Sequence, residues 1–383
     1  MRKHRTAMTL LASLPAAAAA TAVAQPSSFA TRVLAYEPAP GQLVSNPLFN
    51  DPAHALGPPI GGGTLAPDNT KLVSLGGFGG SITLGFDRPI YDDPRNPYGM
   101  DLIVFGNAFY PSGNPGRRFA EAAVVEVSRD ENGNGLADDP WYLIRGTHLG
   151  EPGTPPTACL ASQTWDDDFD SALYPPLSPA WLPPGTSGQW TTTGYLLPAE
   201  IFALPVVTNP RGLGAEEEGI YGYADMSPTL ILGDTDGDNI VDDPDVTPER
   251  FYTTPDDPFT VGISPGSGGG DAIDIAWAVD PLTGEPAGLT SVDFVRITTA
   301  VNAVNGVLGE VSTEVSAVAI VRPIMRSDIN GDGVINSMDI SEFLTLWLAD
   351  VTGLSPGSGD FDGDGATNSS DISAFLTAWL ARE

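Results

Sequence analysis

Short runs of apolar residues, cut apart by Gly, Pro, Asn and Asp, fill the chain from Thr31 to Val321. Ser81-Ile82-Thr83-Leu84-Gly85-Phe86 alternates polar with apolar, and Val292-Asp293-Phe294-Val295-Arg296-Ile297-Thr298 is similar. Successive side chains of a strand point to opposite faces, so this pattern predicts strands with one wet face. The same reading predicts strands over 32–36, 71–75, 81–86, 102–105, 122–128, 141–145, 229–232, 292–298 and 316–321. No convincing amphipathic helix interrupts them. The expected body is therefore mainly β, a jelly-roll-like β-sandwich. Residues 151–214 differ, being rich in proline and aromatic turns, and are expected to form a long, partly ordered insertion over one end of it.

Beyond residue 327 the period changes. Ile340, Phe343, Leu344, Trp347 and Leu348 stand at i, i+3, i+4, i+7 and i+8, and Ile372, Phe375, Leu376, Trp379 and Leu380 repeat the spacing. Each set is the apolar stripe of an amphipathic helix. Neither helix can bury its stripe alone, so the two are expected to pack on each other around a small shared core. The organisation that follows is a signal peptide at 1–24, a body at 31–322 and a C-terminal module at 327–383.

The start of the chain reads as an export signal. Arg2, Lys3, His4 and Arg5 precede an alanine-rich apolar run from Ala7 to Ala20, and Ala22-Val23-Ala24 supplies an A-x-A-like cleavage site. That run is too short and too alanine-rich to span a membrane, and nothing later approaches one. A secreted or cell-surface protein without membrane insertion is expected. Its one cysteine, Cys159, cannot form an internal disulfide. The net charge is −32, and Lys71 is the only lysine past the signal. Such a surface repels nucleic acid, which binds clusters of Lys and Arg. Much of the acid lies in Asp-Gly-Asn turns instead of blocks, which points to cation ligands.

The two predicted helices each follow an oxygen-rich loop. Calcium takes six to eight hard oxygens at about 2.3–2.6 Å, supplied by alternating loop positions. Positions 1, 3, 5, 9 and 12 are Asp328, Asn330, Asp332, Asn336 and Asp339 in the first copy. In the second they are Asp360, Asp362, Asp364, Asn368 and Asp371. Val334 and Ala366 at position 7 would offer backbone carbonyls, and Gly333 and Gly365 stand at the sharp sixth position. A module this short has little apolar area to oppose its chain entropy, so it is expected to fold only with bound Ca2+.

Two copies with this loop, this following helix and this spacing resemble a type I dockerin, over roughly Ser327 to Glu383. The resemblance implies two bound calcium ions and a cohesin-like protein module as partner. It also implies that loop positions 10 and 11 contact that partner: Ser337 and Met338, then Ser369 and Ser370. The basic residues many members carry along these helices are absent here.

Similar loops occur within the body. Asp130, Asn132, Asn134 and Asp138 hold positions 1, 3, 5 and 9 of one, with Asp139 adjacent; Asp234, Asp236, Asp238 and Asp242 hold them in another. Asn239 occupies the sixth position of the second, a residue tolerant of left-handed backbone. Both are candidate calcium sites, and both have a composition that also suits solvated turns. Gly268-Gly269-Gly270-Asp271-Ala272-Ile273-Asp274, with Glu310 or Glu314, is a further candidate. The run from Asp101 to Phe109, the Asp130 loop before Trp141-Tyr142, and the run from Gly270 to Asp280 resemble exported bacterial cell-surface proteins. That resemblance implies a surface setting and no particular chemistry.

Catalytic motifs fail on context. Gly262-Ile263-Ser264-Pro265-Gly266 and Gly353-Leu354-Ser355-Pro356-Gly357 put proline directly after serine, where a nucleophile elbow needs a backbone N–H. His54 and His148 belong to no metal-ligand pair, and Gly76-Gly77-Phe78-Gly79-Gly80 lacks the lysine of a phosphate loop. Glycoside hydrolysis stays open, because it needs only two carboxyls about 5–10 Å apart. Glu121, Glu126, Glu200, Glu216, Glu217 and Glu218 are the available glutamates. Trp165, Trp181, Trp190 and Tyr195 either pin the insertion to the body or stack on sugar rings. The expected function is an exported calcium-binding protein with a non-catalytic adhesion or polysaccharide-binding body and a dockerin-like plug. The alternative is a secreted glycoside hydrolase or polysaccharide-processing enzyme with the same plug.

Overall fold

The computed structural model describes residues 27–39, 41, 43–77, 79–115, 119–121, 123–144, 158–166, 189–198, 223–258, 262–299, 312–321, 327–330, 335–355, 359–362 and 365–381. The expected signal peptide, Trp181, His148, Glu200, Glu216 to Glu218, Glu310, Asp332, Val334 and Asp364 lie outside the described residues. In chain order the first strands are β1 (Arg32–Glu37), β2 (Val73–Ser74), β3 (Ser81–Tyr91), β4 (Leu102–Phe105), β5 (Ala123–Ser128), β6 (Trp141–Ile144) and β7 (Ala158–Asp166). The rest are β8 (Gln189–Pro198), β9 (Tyr223–Ala224), β10 (Asp271–Ile273), β11 (Ala278–Val279), β12 (Ser291–Thr299), β13 (Glu314–Val315) and β14 (Ala317–Ile320). A one-turn helix α1 (Pro248–Phe251) lies between β9 and β10, and α2 (Ser337–Val351) and α3 (Ser369–Ala381) close the chain.

The larger sheet runs β1-β3-β12-β5-β6-β11, with β9 also on β5, and the smaller one runs β10-β4-β14. The pairings in both are antiparallel. Their facing sides share one apolar core. Ile82, Leu84, Phe86, Val125, Val127, Val295 and Ile297 of the large sheet meet Leu102, Val104, Ile273, Val318 and Ile320 of the small one. The alternation of 81–86 is thus used as expected, with Ile82, Leu84 and Phe86 inward. In β12 the register shifts between Val292 and Phe294. That bulge changes the parity of the strand, so Val292 and Val295 both reach the core from an odd spacing.

Burial on two sides explains why β4 reads as an unbroken apolar run. Leu102 and Val104 face the sandwich core, while Ile103 and Phe105 face a second cluster with Leu230, Phe251 and Tyr252. Phe105 meets the Tyr252 ring edge-on at 5.5 Å, and the Tyr252 hydroxyl donates to Leu230 O at 2.9 Å. Parallel treatment of 229–232 as a strand does not hold. Thr229 forms one bridge to Gly269, and Pro228 before it and the turn at Gly233 leave no room for a ladder.

The stretch read as a loop-rich insertion contains the antiparallel pair β7 and β8. Its prolines cluster in the connection at 175–184, while Thr191, Thr192 and Thr193, good strand formers, lie inside β8. Trp165 and Trp190 are partners in that register, and Cys159 and Tyr195 lie on the same pair.

Candidate metal centres and docking surface

The final loop and helix show how the sequence builds a cation shell. Asp360 Oδ2 accepts the Gly365 N–H at 2.8 Å, and Gly365 has φ of 85°, a backbone that favours glycine. Asp371 is fully buried in the first turn of α3, where its oxygens accept N–H bonds from Asp362 (3.1 Å) and Asn368 (2.8 Å). Burial pushes the Asp371 carboxyl up, but these backbone donors outweigh it and hold the group below its usual range. Asp360, Asp362 and Asp371 each present a carboxylate oxygen within 4.8 Å of the others. The Ala366 carbonyl accepts the Asn368 side-chain amide at 2.8 Å.

The first copy repeats these bonds in register. Asp339 is fully buried, and its oxygens accept from Asn330 N (3.5 Å) and Asn336 N (2.7 Å). Asn336 caps α2 by accepting the Met338 N–H at 2.7 Å, forming a capping box with Asp339. Asp at the twelfth position therefore sits one helical turn from the loop, pulled inward as its short side chain requires. Asp328 and Asn330 are half-buried beside it.

The helices are tied by a near-twofold exchange that the apolar stripes did not reveal. The Phe343 and Phe375 rings stack at 4.3 Å, and Phe361 meets both edge-on. Trp347 Nε1 donates to Asn368 O, and Trp379 Nε1 donates to Asn336 O, both at 2.8 Å. Each helix thus clamps the other copy's loop. Asp350 Oδ2 adds a tie by accepting from Gly359 N and the Thr367 hydroxyl. The helices pack on each other around a small core, as expected, and that core takes only part of each stripe. Leu344, Leu348, Leu376 and Leu380 are exposed, because two helices crossing at one Phe pair cover only the centre of each stripe. Ser337, Met338, Ser369 and Ser370 are exposed at the starts of the helices.

Both body loops close on themselves. In the β5–β6 connection, Asp130 accepts the N–H groups of Asn134 (3.0 Å) and Gly135 (2.8 Å). The side-chain amides of Asn132 and Asn134 converge on Asp138 at 3.1 and 3.2 Å. Asp130 is thus tied to the loop backbone, and Asn132 and Asn134 to Asp138. In the other loop, Asp234 is buried and accepts from Gly237 N (2.8 Å) and Asn239 N (2.9 Å). Burial, with the charges of Asp238 and Asp236, raises its carboxyl despite those bonds. Asp234, Asp236 and Asp242 gather within 4.8 Å, while Asp238 turns to accept from Ile240 N. Asn239 does adopt left-handed backbone, with φ of 71°.

The glycine-rich turn at 268–274 does not gather its two aspartates. Asp271 accepts from Met226 N at 2.7 Å, whereas Asp274 caps the turn at Ala276 and lies with Asp92 and Asp101. Ser264 is buried in a loop, its hydroxyl accepting from Asp257 N. His54 is bonded through Nδ1 to Leu72 O.

One groove, of about 360 Å³, lies on the outer face of the large sheet beside the Asp130 loop. Arg296 forms its floor, clamping Glu126 with two 2.8 Å bonds and lying 4.2 Å over the Trp141 ring. Leu136 and Asp138 of the loop form one wall, and Leu34 and Glu37 of β1 another. Sequence reasoning missed it. Its signal is the cross-strand pairing of Arg296 with Glu126, which only the register supplies.

The family model for the dockerin type I domain matches residues 326–376, which covers both loops and most of both helices. The C-terminal segment is a type I dockerin domain. Such domains bind calcium in EF-hand-like loops and imply a cohesin partner, and the proteins that carry them are typically extracellular or at the cell surface. No curated protein matches the chain. Among the described residues no helix is long and apolar enough to cross a membrane.

Proposed function

We propose that this is an exported protein in which a signal peptide at 1–24 precedes a body at 31–322, and a calcium-loaded module at 327–383 plugs the body into a cohesin-bearing partner. The calcium ligands are the oxygens of Asp328, Asn330, Asp332, Asn336 and Asp339 and of Asp360, Asp362, Asp364, Asn368 and Asp371, with the carbonyls of Val334 and Ala366. The observation that carries this reading is the reciprocal clamp, in which each helix's Trp donates to the opposite loop. It makes the docking face depend on both loops being ordered. Ser337, Met338, Ser369 and Ser370 then present an accessible doubled surface, extended by the four exposed leucines.

The body serves adhesion or polysaccharide binding without catalysis. The groove at Trp141 supports this, since a flat aromatic beside polar groups suits a sugar face. Glu126 is committed to Arg296 and Glu121 is buried, which leaves neither poised as an acid–base pair at a cleft. The loops of Asp130, Asn132, Asn134 and Asp138, and of Asp234, Asp236, Asp238 and Asp242, take calcium, the first of them beside the groove.

Surface plasmon resonance of the mature chain over a panel of immobilised type I cohesin modules tests the docking. Binding in Ca2+ that vanishes in EDTA is expected, and equal signals in both rule the clamp out as its basis. A glycan array run beside a reducing-sugar assay tests the body. Bound glycan without sugar release is expected, and release would make the protein an enzyme.

A further inference from the structure

Three acids of the body meet where no loop motif runs. Glu121 stands just before β5, Asp225 just after β9, and Glu314 opens β13. Each is at most 2 % exposed, and each offers a carboxylate oxygen within 4.8 Å of the others. β9 pairs with β5 through Ala224 and Ala123, while Glu314 pairs with Ser74 of β2, so the three come from two separate sheets.

Their surroundings are built to hold charge. Asp225 Oδ1 accepts the N–H groups of Asn107 (2.8 Å) and Ala108 (2.9 Å), and Oδ2 accepts that of Glu314 (3.2 Å). Both oxygens of Glu314 are buried and have no hydrogen-bond partner. Asn107 likewise carries a buried Oδ1 with no partner. Among the described residues, neither Asp225 nor Glu314 has an ion-pair partner.

Buried, uncompensated carboxylates are too costly to persist, so the charge is either removed by protons or met by a cation. Burial and the neighbouring acids do raise Asp225 and Glu314 well above the usual carboxylate range. A protonated Glu314 would become an O–H donor, and a buried donor needs an acceptor. The Glu121 carboxyl would have to serve, as a proton shared between two acids. A cation asks for the reverse: oxygens whose lone pairs are left open. The spacing agrees, because oxygens on opposite sides of a calcium at about 2.3–2.6 Å are about 4.6–5.2 Å apart.

We propose that Glu121, Asp225 and Glu314 hold one hard divalent cation of the calcium class, in a site separate from the aspartate-rich loops. The ion ties the β5–β9 edge of the large sheet to β13, and through it to the strand that continues into β14. At this burial it is a structural staple that no substrate reaches. The inference does not depend on the cohesin reading.

Crystals of the mature chain grown in CaCl2 test it directly. Anomalous difference density between the three carboxyls is expected in crystals whose dockerin loops also carry calcium. Loops that show the ion while this position shows none overturn the proposal, and no variant is needed for that result. Native mass spectrometry gives a second reading, in which Glu314→Gln carries one calcium fewer than the wild type. An unchanged ion count overturns it as well, and identifies the cluster as one held by shared protons.

Discussion

Three loops far apart in the chain solve the same local problem in the same way. At Gly135, Asn239 and Gly365 the sixth residue takes left-handed backbone, with φ of 75°, 71° and 85°. Its N–H then reaches back to the first carboxylate, Asp130, Asp234 or Asp360, at 2.8, 2.9 and 2.8 Å. The turn aims the remaining oxygens at one point, so its cost falls on ion binding. A Cβ at Gly365 would meet nothing within 4 Å, which isolates the conformational cost from any clash. Gly365→Ala should therefore cost about 1–2 kcal/mol, the left-handed penalty. At about 1.4 kcal/mol per decade this is close to tenfold weaker calcium binding at one site of the mature chain by calorimetry. Asn239 tolerates the same geometry because its side chain is bonded elsewhere, with Oδ1 accepting the Thr64 N–H at 2.7 Å.

The exchange of tryptophan bonds makes α2 and α3 one cooperative unit. Trp347→Phe keeps a six-membered aromatic ring but loses the indole's five-membered ring and its N–H···O=C bond, the bond alone being a loss of about 1 kcal/mol. Since its partner is Asn368 O, the fault should appear in the other copy. Hydrogen exchange of the calcium-loaded chain should speed up at the start of α3 and leave the middle of α2 unchanged. Acceleration confined to α2 would refute the exchange. Much of this level was legible from residue order. The period of two located β3 and β12, and the repeat of loop and stripe located α2 and α3. What escaped has physical causes. β10 and β11 have three and two residues, too few for a period to show, and are held by β4 and β6. The stripe pattern marks which residues are apolar, but Leu348 and Trp347 have different fates because only the crossing point of two helices decides burial. Glu121, Asp225 and Glu314 lie in distant segments, and strand pairing alone assembles them.

Asp371 of the dockerin and Asp101 of the body are shifted in opposite directions, which gives α3 and β4 different responses to pH. Asp371 is held below its usual range by backbone donors, so its contribution is present at neutral pH and is lost only as acid takes the pH down through its folded value. Asp101 is the contrary case. It is buried at the start of β4, and desolvation, with the charges of Asp274 and Asp92, raises it to about 7 against the bonds it accepts from Asp93 and Ile275. The folded body then binds a proton that the unfolded chain has already released. Stability from that proton is complete below about pH 3.8 and declines as the pH rises toward about 7. Exchange-derived opening free energies at fixed calcium should therefore fall for β4 between about pH 5 and about pH 7.5, while those for α3 hold level. In Asp101→Asn the β4 decline should flatten, since no proton is left to lose, even though the amide serves its backbone donors less well. A decline of the same size in the variant would assign the pH response to other acids of the body.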